Sequence, residues 1–203
     1  MSQGQTQPRC TVYLVDDDQK VLNMLQSLVA TIGVDARAYL SAREFLAAYR
    51  PLPCQCLVCD LRMPDIDGLG LQEKLQTLSG APPIIFLTGY AEVNVAVDAM
   101  KHGAFDFLEK PFRAQALLGK IQAALEASRA QHARLLAAQA NEARLALLTP
   151  RERDVLRHVI DGLSSRQIAE TLGLTVRTIE NERARILDKL QVESTVDLVK
   201  LFL

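Results

Sequence analysis

Five side chains of this 203-residue chain could work together chemically. They are Asp16 and Asp17 in "VYLVDDDQKVL", Asp60 in "CLVCDLRMPDIDG", Thr88 in "PIIFLTG" and Lys110 in "FDFLEKPF". Adjacent like charges repel, so carboxylates crowded at one place call for a compensating cation. Mg²⁺ suits them, because it prefers hard oxygen ligands and keeps waters that a phosphate can replace; Mn²⁺ takes the same kind of site. A carboxylate nucleophile, a divalent metal, a hydroxyl and an ammonium are together the parts for phosphoryl transfer onto an aspartate.

These groups meet only if the elements before them converge. Each follows a short apolar run that reads as a buried strand: "TVYLV" (11–15), "CLVC" (56–59), "PIIFLT" (83–88) and "FDFL" (105–108). Between the strands lie amphipathic stretches. "VLNMLQSLVATIG" places Val21, Leu25, Leu28 and Ile32 at helical spacing and closes on Gly33. "SAREFLAAY" starts with the N-cap Ser41 and a Glu three residues on, and "LGLQEKLQTL" and "AEVNVAVDAMKHG" supply two more helices. Near-continuous apolar strands alternating with helices predict an α/β, doubly wound parallel sheet. Ligands of such sheets sit at the carboxyl ends of the strands beside the topological switch point. If the strands ending at Asp16 and Asp60 are neighbours, Asp16, Asp17 and Asp60 converge there. Asp18 is left to cap the first helix.

After Phe112 the character changes. Leu118, Ile121, Leu125, Ser128, His132 and Leu135 keep a rough heptad spacing, but the apolar seam fades after Leu125. This reads as a terminal helix running on into a helical linker, with His132 solvated. A small all-α segment follows. Thr149, Pro150 and Glu152 form an N-cap, a first-turn proline and a capping-box acid. "LSSRQIAETLGLTVRTIENERARI" then reads as two helices joined by a tight turn. Ser164 or Ser165 caps the first and Gly173 makes the turn. Leu174 plugs the core and Thr175 caps the second. Ile168, Ala169, Leu172, Ile179, Ile186 and Leu190 point inward. The pattern is helix-turn-helix, and a generic helical hairpin would space its residues alike.

Charge excludes a strongly basic nucleic-acid domain. Residues 1–112 carry a net of −4, residues 113–144 a net of +3 and residues 145–203 a net of zero. Any DNA reading therefore rests on pattern and not on bulk charge. The start "MSQGQTQPRC" lacks the apolar core of a secretory signal, and no run approaches the roughly 20 apolar residues of a membrane span, so a cytoplasmic protein without a membrane partner is expected. Four cysteines occur, at 10, 54, 56 and 59. In a strand, Cys54 and Cys56 share one face and Cys59 takes the other, so they cannot meet one metal ion; reduced thiols packed in the core are expected.

"VDDD", "DLRMPDIDG", "LTG" and "EKPF", in this order and at these separations, resemble the receiver domain of a two-component response regulator. The segment around "LTPRERDVL" and "GLSSRQIAETLGLTVRTIENERARILDKLQVES" resembles the LuxR-type DNA-binding domain. The two together are similar to the FixJ-like group. The resemblance implies a flavodoxin-like receiver at 10–128, a helical linker at 129–144 and a DNA-binding domain at 145–203. It implies phosphorylation of Asp60 by a sensor histidine kinase. Asp17, Asp60 and the backbone carbonyl of Arg62 would bind the metal, with Asp16 assisting. Thr88 and Lys110 would hold the phosphoryl oxygens, and Phe107 would be the switch aromatic. The bond before Pro111 would be cis, and Pro64 and Gly68 would shape the loop after the acceptor. Phosphorylation would remodel residues 91–110 into a face for homodimerisation or docking. Promoter DNA would be faced by Arg177, Thr178, Asn181, Arg183, Arg185 and Lys189, with RNA polymerase a candidate contact.

Two positions depart from the family pattern. Tyr90 stands where a His is frequent, and Glu182 where a His is common. Glu182 and Glu180 would make the DNA face less basic than usual. A calcium loop at "DIDG" fails, because Met63 and Lys74 stand where acids are needed. An aspartyl phosphatase of the haloacid dehalogenase kind would need an acid at position 62, which is Arg62; slow self-dephosphorylation, not an enzyme's turnover, is expected. A regulator working through protein partners, with the helical domain unused on DNA, stays open because residues 145–203 carry no net charge.

Overall fold

The computed structural model describes residues 9–89 and 99–202. The helix expected at "AEVNVAVDAMKHG" and the Tyr90 position fall mostly or wholly outside them. The chain divides between Arg134 and Leu135 into two compact units.

In the first unit five parallel strands form one sheet in the order β2-β1-β3-β4-β5. They are β1 (Thr11–Val15), β2 (Asp35–Tyr39), β3 (Gln55–Asp60), β4 (Ile84–Thr88) and β5 (Asp106–Glu109). The order reverses between β1 and β3, so the switch point lies there. Four of these strands are the apolar runs named above. β2, "DARAY", was not expected: it is a polar edge strand beside β1, in register Thr11 with Asp35.

Both sheet faces are covered, as apolar strands require. On one face Val12, Leu14, Cys56, Val58, Ile85 and Leu87 pack with α1 (Gln19–Ala30) and α4 (Ala114–Ala146). On the other Tyr13, Val15, Leu57, Cys59 and Phe86 pack with α2 (Ala42–Ala48) and α3 (Gly68–Gln76). Cys54 and Cys56 thus share one core and Cys59 the other. Asp18 caps α1 by accepting from the Lys20 amide at 2.8 Å, and Ser41 caps α2.

The expectation of four reduced thiols is corrected. Cys10 and Cys54 form a disulfide across 44 residues, while Cys56 and Cys59 are free and buried. Cys10 immediately precedes β1 and Cys54 precedes β3; because Thr11 is level with Gln55, the parallel register brings the two Cα atoms to 4.6 Å.

The second unit holds α5 (Pro150–Ile160), α6 (Ser165–Leu172), α7 (Val176–Leu190) and α8 (Thr195–Phe202) around their own core. Thr149 and Glu152 form the expected capping box, and Ser164 forms a second one with Gln167. Gly173 ends α6 with φ 66°, a left-handed conformation that costs a glycine little. Thr175 caps α7, and Ile168, Ala169, Ile179 and Ile186 are buried between the helices.

Candidate functional site: an acidic strand-end cluster and a helix-turn-helix

Asp60 ends β3, Thr88 ends β4, Asp16 directly follows β1 and Lys110 directly follows β5. Val15 is level with Cys59 and Asp60 with Leu87, so neighbouring strand ends stand side by side. Lys110 bridges two of the acids: its Nζ lies 2.5 Å from Asp60 Oδ1 and 3.0 Å from Asp16 Oδ2. The other Asp16 oxygen accepts from the Asp18 amide, and Asp60 Oδ2 accepts from the Arg62 amide, both at 2.9 Å. The peptide bond between Lys110 and Pro111 is cis.

Two charges next to one ammonium alter its affinity for protons. Burial acts to lower the Lys110 pKa, but its hydrogen bonds and charge contacts with Asp60 and Asp16 outweigh this and hold it above its ordinary value. For Asp60, burial is the largest influence and pushes the carboxyl up; the Lys110 contact opposes it, and the Asp16 charge adds to it.

Thr88 Oγ1 is fully buried and, among the described residues, has no hydrogen-bond partner. A buried hydroxyl without a partner costs stability, on the order of 1–3 kcal/mol. Gly68 explains the tight turn after Asp60. A Cβ there would stand 2.8 Å from the Phe86 ring and 2.9 Å from the Asp60 carbonyl oxygen, so only glycine lets the α3 start approach the acceptor strand. Phe107 lies on β5, half-buried against the core that holds Phe86 and Cys59.

The expected convergence of three carboxylates is only partly met. Asp16 and Asp60 meet through Lys110, whereas Asp17 is exposed, and no group of three acid, His or Cys side chains gathers as a metal cage among the described residues. Alternation at the strand end turns Asp16 inward and its neighbour outward. The donor set still fits Mg²⁺, which takes one or two carboxylates and completes its shell with water.

In the second unit the six residues expected to face DNA, with Glu182 set among them, separate into two groups. Arg177, Asn181 and Arg185 follow one another at four-residue spacing on the exposed side of α7. Thr178 is half-buried, its hydroxyl against Thr175 Oγ1 at 2.8 Å. The others are tied to the domain itself. Lys189 reaches Glu152 at 2.6 Å, and Arg183 donates to Ser165 Oγ and Thr195 Oγ1 at 3.2 and 3.0 Å. Glu182 is a correction: it is 8% exposed and faces inward, 3.5 Å from Arg185 and 3.8 Å from Arg151. It sits three residues after Ile179 and four before Ile186, on the core stripe of the helix, so it does not lie on the outer face.

A doubly wound sheet with an acid pair and lysine at its switch point, together with a helix-turn-helix unit, defines a receiver coupled to a DNA-binding output module. Sequence comparison places the chain in that class. Residues 12–122 match the response regulator receiver domain family, and residues 146–202 match the LuxR family of bacterial regulatory proteins. The chain belongs to the two-component response regulators with a LuxR-type output domain. It is 40% identical over 189 residues to the response regulator protein TmoT of Ectopseudomonas mendocina, covering 93% of this chain and 86% of that one. It is 38% identical over 190 residues to the transcriptional regulatory protein FixJ of Bradyrhizobium diazoefficiens, covering 94% and 93%. The solved structure of the response regulator StyR superposes with a TM-score of 0.79 at 39% identity, covering 95% of this chain and 98% of that one.

Proposed function

We propose that Asp60 is the phosphoryl acceptor of this transcriptional regulator, supplied by a sensor histidine kinase. The supporting observation is the buried Thr88 hydroxyl at the strand end next to Asp60, which has no hydrogen-bond partner among the described residues. A phosphoryl oxygen would give that hydroxyl an acceptor, and Lys110 would follow the new charge. Mg²⁺ or Mn²⁺ would neutralise charge on the phosphoryl oxygens, held by Asp60, Asp17 and the Arg62 carbonyl with Asp16 assisting. Asp16 keeps Lys110 oriented from behind, and the Arg62 amide fixes the Asp60 carboxylate. Phosphorylation adds about two negative charges beside Thr88 and Lys110. The resulting shift turns Phe107 inward and alters the face near β5, favouring a homodimer. Turnover beyond slow self-dephosphorylation is absent from this scheme, since position 62 offers no general acid.

In the output unit, Arg177, Asn181 and Arg185 are the proposed groove-facing contacts, with Thr178 at a phosphate and the promoter as ligand. Lys189 and Arg183 support the fold that presents them. RNA polymerase would be contacted by the DNA-bound form, in the cytoplasm.

Treating the protein with acetyl phosphate and Mg²⁺ should give an acyl phosphate label, released by hydroxylamine, that Asp60→Asn abolishes; wild-type labelling of the variant would refute the assignment. Arg177→Ala should weaken target binding and, if it meets a phosphate, lower the slope of log affinity against log salt by about 1. A chain with no salt slope at all would be a regulator acting without DNA.

A further inference from the structure

The disulfide is the feature that the phosphoryl site and the DNA face leave unused. Its two sulfurs are unequal. Cys54 is fully buried, while Cys10 is half-buried at a surface cavity of about 360 Å³ lined by Ile32, Val34, Gln122, Leu125, Glu126 and Arg129, of which Arg129 is the one in contact with its sulfur. Arg129 Nη2 lies 2.9 Å from Cys10 Sγ. Cys54 Sγ lies 3.8 Å from the Leu125 carbonyl oxygen. Both neighbours stand on α4, one turn apart, and the next residue also ties this helix to β3: the Gln55 amide donates to Ser128 Oγ at 3.0 Å.

These contacts suit a reduced pair as well as an oxidised one. A bonded Cys54 sulfur has no proton to give Leu125, whereas a Cys54 thiol does. A guanidinium beside Cys10 favours its thiolate, the form that attacks oxidants. The other two cysteines do not compete: burial pushes the thiols of Cys56 and Cys59 well up, so both stay protonated.

We propose that Cys10 and Cys54 form a reversible thiol–disulfide site, with Cys10 the entry for a hydroperoxide and Cys54 the resolving thiol. The Cys10 thiolate attacks the distal oxygen of the hydroperoxide; the O–O bond breaks, leaving Cys10 as a sulfenic acid and releasing an alkoxide, or hydroxide from hydrogen peroxide. The Cys54 thiol then attacks the Cys10 sulfur, forming the S–S bond and releasing water. Two electrons pass from the two sulfurs to the peroxide. A dithiol reduces the Cys10–Cys54 bond to two thiols through a mixed disulfide at Cys10, the accessible sulfur, and itself becomes a disulfide. This inference rests on the function proposed above: a regulator working on DNA in a reducing cytoplasm would hold such a bond only transiently, which is the behaviour of redox-sensing pairs. Closing it pins the starts of β1 and β3 together beneath the Leu125–Arg129 turn of α4.

The test is thiol counting on the full chain. Fully reduced protein, denatured and alkylated, should take four labels, matching its four cysteines. After brief hydrogen peroxide treatment of the native protein it should take two, with a Cys10–Cys54 cross-linked peptide that dithiothreitol removes. Cys10→Ser should keep its three remaining thiols under the same treatment. Arg129→Gln should oxidise about threefold more slowly near neutral pH, because loss of the guanidinium lowers the thiolate fraction while greater nucleophilicity offsets part of that loss. Four labels retained in the wild type, a cross-link through Cys56 or Cys59, or loss of thiols in Cys10→Ser overturns the proposal; equal rates for Arg129→Gln overturn the role given to Arg129.

Discussion

Both halves of this chain bury charge, and they treat it differently. In the output unit the two buried carboxylates have cationic partners, and the half-buried Arg183 has hydroxyl partners. Glu152, 3% exposed, accepts from the Thr149 amide and from Lys189; Glu182 lies between two arginines; Arg183 is held by two hydroxyls. In the receiver one ammonium serves two carboxylates, a third acid stands in solvent, and a buried hydroxyl beside them has no partner among the described residues. Closed networks hold an arrangement in place, whereas an arrangement short of partners has room for an incoming anion and cation. The contrast separates structural charge from functional charge without appeal to exposure, since Asp16 is as buried as Glu152.

The largest effect expected from this contrast is in the output unit. Lys189→Met leaves the Glu152 carboxylate buried without its ammonium. Removing one partner of a fully buried pair costs roughly 3–5 kcal/mol. Lys189 keeps about a third of its side chain exposed, so water replaces part of the contact and about 2 kcal/mol is expected. Denaturant unfolding followed by probes within residues 145–203 measures it. A change below about 0.5 kcal/mol, the size of an exposed pair, would break the claim that this network is closed.

Acid should separate the halves next. Burial acts to raise the Glu152 pKa, but the hydrogen bonds from Lys189 and Thr149 hold it below its ordinary 4.5. A carboxylate depressed on folding contributes stability that is present above 4.5 and is lost as pH falls through its folded value. Asp60 has the opposite sign. Its carboxyl is raised above 3.8, mainly by burial, so its contribution favours the folded receiver below 3.8 and fades as pH rises through the folded value. Acidification toward about pH 4 should therefore weaken protection of α5 amides against hydrogen exchange more than those of β3. Glu152→Gln should remove most of that difference. At the alkaline end Lys110, raised above 10.5 against the pull of burial, contributes stability below 10.5 that is lost as pH climbs past its folded value.

How much of this was legible in the sequence follows the same division. The four apolar strands, the caps at Asp18, Ser41 and Thr149, and the turn at Gly173 carry local signals, and each is present. β2 carries none: "DARAY" mixes exposed and half-buried residues on a sheet edge, with none fully buried, so no apolar run announces it. Pairing with β1 makes it a strand. The Cys10–Cys54 bond is equally non-local, because it depends on the register of β1 with β3 and not on the "CQCLVC" spacing that draws attention. Glu182 was legible and misread. Its spacing between Ile179 and Ile186 marks the core stripe, but a carboxylate looks like a surface residue until Arg151 appears beside it.

The smallest expected effect on stability has the sharpest meaning. Thr88→Val replaces the Thr88 hydroxyl with a methyl of similar volume at a site with no exposure. Where a hydroxyl is hydrogen-bonded, this change costs about 1 kcal/mol. Thr88 Oγ1 has no partner among the described residues, so the substitution should be neutral or stabilise the receiver by up to about 1 kcal/mol. The same variant should lose phosphoryl label faster or accumulate less of it, because the proposed acyl phosphate loses a donor. Calorimetry and acetyl phosphate labelling on one preparation read both quantities. A receiver destabilised by 1 kcal/mol or more with unchanged labelling would show that the hydroxyl belongs to a closed structural network, as the charges of the output unit do, and the comparison between the halves would fail at its central residue.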